Sequence, residues 1–308
     1  MAHSDLARTD LAHSAQADSP NFRQRLALRG IDGITLLILP AVLFVLAIFV
    51  YPFLYGLLLS FTPREGGLLA NYQKFFADPF LYDTIWTTLK LAMPVTIISL
   101  LVAIPIAFRV RLMRHQRLLT TILVLPVTLG TVLVAEGLLN YLGPQGWFSR
   151  TLMLIGAIDR PVKLTNNYWG VFASLIITGF PFTFLLTLSY VTGIDPALEQ
   201  AAATHGARSW QRFRFVLLPL LIPGLAIAFC LSFVQAFAVF PSAVLLGAPA
   251  GPTRVISIAA YQAAFEQYDY SMASAIAMIM AAVQLAIVIG VLALRGLFYR
   301  GATSGGKG

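Results

Sequence analysis

The chain has 308 residues, of which 58% are hydrophobic and only 11% charged, against roughly a quarter charged in a soluble domain; its mean hydropathy is +0.79. This composition excludes a soluble globular domain and leaves a multi-span membrane protein, with room for about six spans of ~20 residues. The lone cysteine, Cys230, lies inside an apolar run, which excludes an internal disulfide framework and suits a small core residue. The net charge of +8 is read first as a membrane-topology signal, and the placement of the basic residues leaves no need for a nucleic-acid partner.

Residues 1–22 are polar and lack the apolar stretch of a signal peptide, so a disordered cytoplasmic tail is expected up to about residue 30. Apolar runs follow at 34–61, 86–108, 118–140, 168–191, 216–247 and 272–294, which predicts an all-α membrane protein with six transmembrane helices. The first and fifth runs are longer than a bilayer requires, so tilting, kinks at Pro40 or Pro52, or a bend at Pro241 are expected. With the N-terminus inside, 14 of the 21 basic residues fall on inner segments, among them Arg109, Arg111, Arg114 and Arg117 in one short loop. Short loops obey the positive-inside rule best, so both termini are expected to be cytoplasmic.

Between the fourth and fifth runs lies Leu198 to Pro223, LEQAAATHGARSWQRFRFVLLPLLIP. Asp195 followed by Pro196 reads as an N-cap with proline at the first helical position. The alanines favour helix, Glu199 sits near the positive end of the helix dipole, and Gly206 is placed to stop it. Ser209 is expected to cap the next helix, which re-enters the membrane near Phe215 and bends around Pro219 and Pro223. A helix of about ten residues is marginal alone in water, so it needs a surface to pack on.

Gln200-Ala201-Ala202, three residues, Gly206, nine residues, Val216, one residue and Leu218-Pro219 together resemble the EAA loop of ABC importer permeases, with every spacing kept. Gln200 stands where the family has glutamate, and Val216 where it has isoleucine. A weaker resemblance runs from about Asn71 to Leu294 and is nearest to the polyamine-transport branch. It implies an ABC importer permease domain over 71–300, with a first transmembrane helix and the start of an outer loop at 31–70, a core of the last five helices, and cytoplasmic tails at 1–30 and 301–308. The family setting is a multi-pass protein of the bacterial inner membrane. There, two permease subunits, identical or paralogous, form the translocation pathway; two ATP-binding subunits hold ATP and Mg and dock on the EAA helix; and an extracytoplasmic binding protein delivers solute. The coupling contact implied for this chain is Ala201, Ala202 and Gly206, flanked by Glu199, Gln200 and His205.

The residues agree on one point. No G-x-x-x-x-G-K-[ST] phosphate loop occurs, so an active transporter built on this chain takes its energy from a partner, with no cofactor expected in the chain itself and no catalytic residues. His205 has no cysteine or carboxylate at metal-ligand spacing, and no metal site is expected. The implied solute is small and polar or cationic, polyamine-like, with sugar, iron, phosphonate or opine permeases as alternatives.

Ionisable residues within the membrane are costly and point to function. Glu136 lies about 28 Å of helix rise from Arg117, near the outer boundary of the hydrocarbon, and Lys90 is equally deep relative to Arg109. The two either pair or reach the outer headgroups, or Glu136 lines an outer vestibule that attracts a cation. Gln235, in the middle of the fifth run, is the midplane pathway candidate, with Phe180-Pro181 as the expected irregularity of the fourth span. An ion-coupled secondary transporter would also suit six spans, but it predicts a string of buried charges and no patterned cytoplasmic loop. An intramembrane enzyme would need a motif such as H-E-x-x-H or G-x-S-x-G, and neither is present.

Overall fold

The computed structural model describes residues 33–298. The two expected tails lie outside these residues, as do Arg8, Arg23, Arg25, Arg29, Arg300 and Lys307. Every regular element among the described residues is helical: α1 (Gly33–Val45), α2 (Tyr51–Ser60), α3 (Ala70–Ala77), α4 (Pro79–Val110), α5 (Gln116–Leu142), α6 (Trp147–Leu154), α7 (Tyr168–Thr192), α8 (Pro196–Thr204), α9 (Ser209–Arg212), α10 (Leu218–Phe237), α11 (Pro241–Leu245), α12 (Ile256–Tyr261) and α13 (Tyr270–Phe298). Six stretches are long and apolar enough to cross a membrane: Leu37–Ser60, Pro79–Val110, Gln116–Leu154, Tyr168–Thr192, Ser209–Phe237 and Tyr270–Gly296. They coincide with the six apolar runs.

The chain divides into two compact units between Gly56 and Leu57. In the first, α1 passes into a π-helical turn, Leu46–Val50, and its apolar side chains from Leu37 to Tyr55 are exposed. In the second, α4 packs along α7 and α10. The buried face of α4 carries Thr84, Thr88, Ala92, Thr96, Ser99, Ala103 and Ala107, three or four residues apart. In lipid the hydrophobic effect does not drive helices together, so small side chains that let backbones approach supply the packing. Gly224 of α10 shows how close that approach is, because a Cβ there would lie 2.4 Å from the ring of Tyr190.

Prolines and glycines divide the work of bending the spans. Both π-helical turns that precede a proline, Leu46–Val50 before Pro52 and Phe213–Leu217 before Pro219, end two residues ahead of it. The extra residue in each turn makes room for the ring and for the hydrogen bond it cannot donate. Pro241 does not bend the fifth span; that span stops at Phe237, and Pro241 opens α11 at a position where no N–H is needed. The irregularity expected at Phe180-Pro181 is absent: α7 is continuous, with Pro181 buried inside it. A proline costs a helix one hydrogen bond, and tight packing by neighbours holds it in register.

The break falls in the third span instead. Gly130 has φ 76° and ψ 158°, and splits α5 into two helical halves. A Cβ at Gly130 would meet nothing within 4 Å, so the requirement for glycine is one of backbone conformation alone.

Arg254 is only 6% exposed. Its Nε donates to Gln262 Oε1 (2.8 Å), one Nη to the Phe80 carbonyl (2.9 Å), and the guanidinium lies 4.0 Å from the Phe80 ring centroid. Burial pushes its pKa down while Asp78 and Glu266 push it up. It is a structural cation holding the residues after α11 to the start of α4.

Gly130→Ala tests the break. The substitution puts a side chain where φ must be positive, at a cost of about 1–3 kcal/mol, so the purified protein is expected to unfold at a lower temperature in detergent. An unchanged midpoint would show that α5 rewinds there without strain.

Candidate functional site

α8 forms as its residues dictate. Asp195 Oδ1 accepts from the Ala197 N–H (2.8 Å), Pro196 opens the helix, and Gly206 follows it at φ 81°. Ser209 does not cap the next helix. The Arg208 N–H donates to Gln211 Oε1 (2.8 Å), and Ser209 is the first helical residue, with its Oγ accepting from Arg212 (3.0 Å). Arg208 turns the chain with extended backbone, so the cap is formed one residue earlier than the hydroxyl suggests.

No residue of α8 is buried. Gln200, Ala201, His205 and Gly206 are exposed, while Glu199 and Ala202 are half-buried on the inner face. What holds this nine-residue helix is Glu199. Its Oε2 accepts from Arg111 at the end of α4, and its Oε1 lies 3.7 Å from Arg212 just before the re-entry into the fifth span. The arginines are largely buried, with side chains 10% and 25% exposed. Arg111 also lies 4.9 Å from the Phe108 ring, which meets Phe213 edge-on, and Phe213 stacks on Trp210. One carboxylate thus ties the exposed helix to two spans. Arg111 was legible only as a topology charge, because its partner lies 88 residues away and no local pattern announces it.

Gln235 lies at a cavity of about 290 Å³ in the second unit, walled by α4, α5, α7, α10 and the residues after α10. Thr96, Ser99, Thr131, Thr178, Thr183 and Ser232 supply its polar wall. Thr131 follows the Gly130 break, and irregular backbone at membrane depth is tolerated where it lines such a cavity. Among the described residues, the wall carries no ionisable side chain. Phe180 is not in it; it packs with Phe184 and the cluster toward α4 and α10. Glu136 is exposed beyond the break, also away from the cavity, and forms no ion pair with Lys90 among the described residues. Lys90 is exposed as well, so each charge faces its own surroundings.

Six membrane-length helices, a short exposed helix held at the end of two of them and a polar cavity between α4, α5, α7 and α10 suit a solute permease. Residues 66–302 match the family described as "Binding-protein-dependent transport system inner membrane component", and the chain belongs to that family. It is 30% identical over 205 residues to the spermidine/putrescine transport system permease protein PotB of Haemophilus influenzae, covering 64% of this chain and 71% of that one. It is 33% identical over 165 residues to a probable sulfate transport system permease protein, cysT, of Prototheca wickerhamii, covering 53% and 62%. A solved bacterial ABC transporter involved in the import of the acidic polysaccharide alginate superposes with a TM-score of 0.72 at 25% identity, over 85% of this chain and 94% of that one. The protein is a permease subunit of an ABC importer and a multi-pass inner membrane protein.

The Glu199 tie is open to measurement. Glu199→Ala leaves two partly buried arginines without their shared partner, and α8 is too short to persist unaided. Amide exchange across residues 196–204 should accelerate, and a double-mutant cycle with Arg111→Ala should return a coupling of about 1–3 kcal/mol. Unchanged exchange would mean that the ion pairs do not hold the helix.

Proposed function

We infer that α8 is the surface on which a separate ATP-binding subunit docks. The observation that carries this reading is an exposed, small-residue helix tied by a single carboxylate to two membrane spans. A force on Gln200, Ala201, Ala202, His205 and Gly206 passes through Glu199 to Arg111 and Arg212, and so to α4 and α10. In this reading Glu199 is the transmitting residue, and the outward contact falls to Gln200, a neutral hydrogen-bonding group at the position where the family has glutamate.

The chain works with a second permease subunit, identical or paralogous, with two ATP-binding subunits that hold ATP and Mg, and with an extracytoplasmic binding protein. Both termini and α8 lie on the cytoplasmic side, in keeping with the basic residues at 109–117 and 208–214. Solute crosses through the cavity beside Gln235, and exposed Glu136 lies toward the outer mouth. The solute is small and polar.

Affinity purification of the full-length protein from its own membranes should bring down an ATPase subunit. Gly206→Val, which forces a β-branched residue into positive φ, should reduce that recovery and solute uptake together while leaving the protein in the membrane. Uptake by the isolated chain without an ATPase, or full recovery and uptake in the variant, would overturn the docking reading.

A further inference from the structure

The cavity that the proposed pathway uses has a chemistry of its own. In a helix, a serine or threonine hydroxyl can satisfy its proton on a carbonyl one turn back, and three threonines of the wall do so. Thr96 donates to the Ala92 carbonyl (2.8 Å) and Thr178 to that of Ser174 (2.8 Å). Thr183 and Ser232 bond to each other (2.8 Å), and Thr183 also reaches the Gly179 carbonyl (3.1 Å). These bonds leave oxygen lone pairs as acceptors on the wall, while the Gln235 carboxamide adds both donors and an acceptor.

Ser99 departs from the pattern. It is 2% exposed, it belongs to the cavity wall, and its Oγ has no hydrogen-bond partner. An unpaired buried hydroxyl costs about 1–3 kcal/mol, and a turn of the Ser99 side chain into the cavity brings its oxygen within reach of a solute that supplies the missing partner. Phe240 contributes an aromatic surface to the same wall. The volume of about 290 Å³ corresponds to roughly ten water molecules in the liquid.

Among the described residues, no group of either sign stands in this wall to compensate an ion. A polycation or a dianion entering it would give up hydration without a counter-charge, which in a low-dielectric site costs several kcal/mol per charge. A neutral polyhydroxyl compound loses much less, because each of its hydroxyls can donate to a threonine oxygen or pair with Ser99 or Gln235. We propose that the cavity between α4, α5, α7 and α10 binds an uncharged, hydroxyl-rich, sugar-like solute. The assignment rests on the reading of this cavity as the pathway and narrows the solute class. It sets the chain apart from relatives named for spermidine and putrescine or for sulfate.

A cysteine reporter separates the two levels. Cys230 is the only cysteine, so Cys230→Ala with Ala238→Cys places one thiol at an exposed position of the cavity wall without removing a polar group. The full chain, assembled with its ATPase in membrane vesicles, is labelled with the neutral reagent N-ethylmaleimide in the presence of glucose, spermidine or sulfate. Glucose is expected to slow labelling by about fivefold at four times its dissociation constant, by mass action, while spermidine and sulfate leave the rate unchanged. Adding Ser99→Ala should weaken the glucose protection, and Gln235→Glu should allow spermidine to protect. A thiol that does not react in the assembled transporter overturns the pathway reading itself. A reactive thiol protected by spermidine or sulfate, or by none of the three solutes, leaves the pathway standing and overturns the neutral-solute assignment.

Discussion

The ion pairs of Glu199 with Arg111 and Arg212 are the constraint on which the α8 end of this protein depends. α8 has the caps of a stable helix and none of the burial, so its secondary structure is specified locally while its position is not. Half-burial makes the carboxylate an effective anchor. Fully exposed, the pairs would be worth little in high dielectric; here Arg111 is packed against Phe108 and beside Val191 of α7, and water competes less. The anchor reaches the end of α4 and the approach to α10, two of the helices that wall the cavity.

Inside the membrane the ruling constraint is the satisfaction of backbone and hydroxyl groups without water. Threonines and serines meet it by bonding back to their own helices, and that economy has a second effect. Each hydroxyl that spends its proton on a carbonyl leaves lone pairs facing its neighbours or the cavity. The same residues that permit close helix packing therefore supply a polar, uncharged lining. At Gly130 the backbone leaves the helical pattern inside α5, and the adjoining Thr131 belongs to that lining.

Much of the fold was legible because its signals are local. A run of about twenty apolar residues reports a span whatever surrounds it, and all six were found. The Asp195-Pro196 start and the Gly206 stop of α8 were legible for the same reason, since a cap involves residues two or three apart. Gln235, a pathway candidate for its polarity at mid-span, lies in the cavity wall. The signal failed where two residues compete for one local role: Arg208 and Gln211 cap α9 in place of Ser209, and Gly130 rather than Phe180-Pro181 interrupts a span. A proline announces strain, but whether a helix yields there depends on the helices packed around it.

By itself the sequence determined the six membrane-length spans and the start and stop of α8, because these follow from hydrophobic length and from interactions within one turn. Only the tertiary structure decided which charges meet. Glu199 finds Arg111 across 88 residues, Arg254 is drawn inside against Phe80, and Glu136 and Lys90, equally deep and of opposite sign, stay apart. Depth along a helix is set by counting residues, but the facing of two side chains depends on how each helix is rotated against its neighbours, and that rotation is fixed by the packing of the whole bundle.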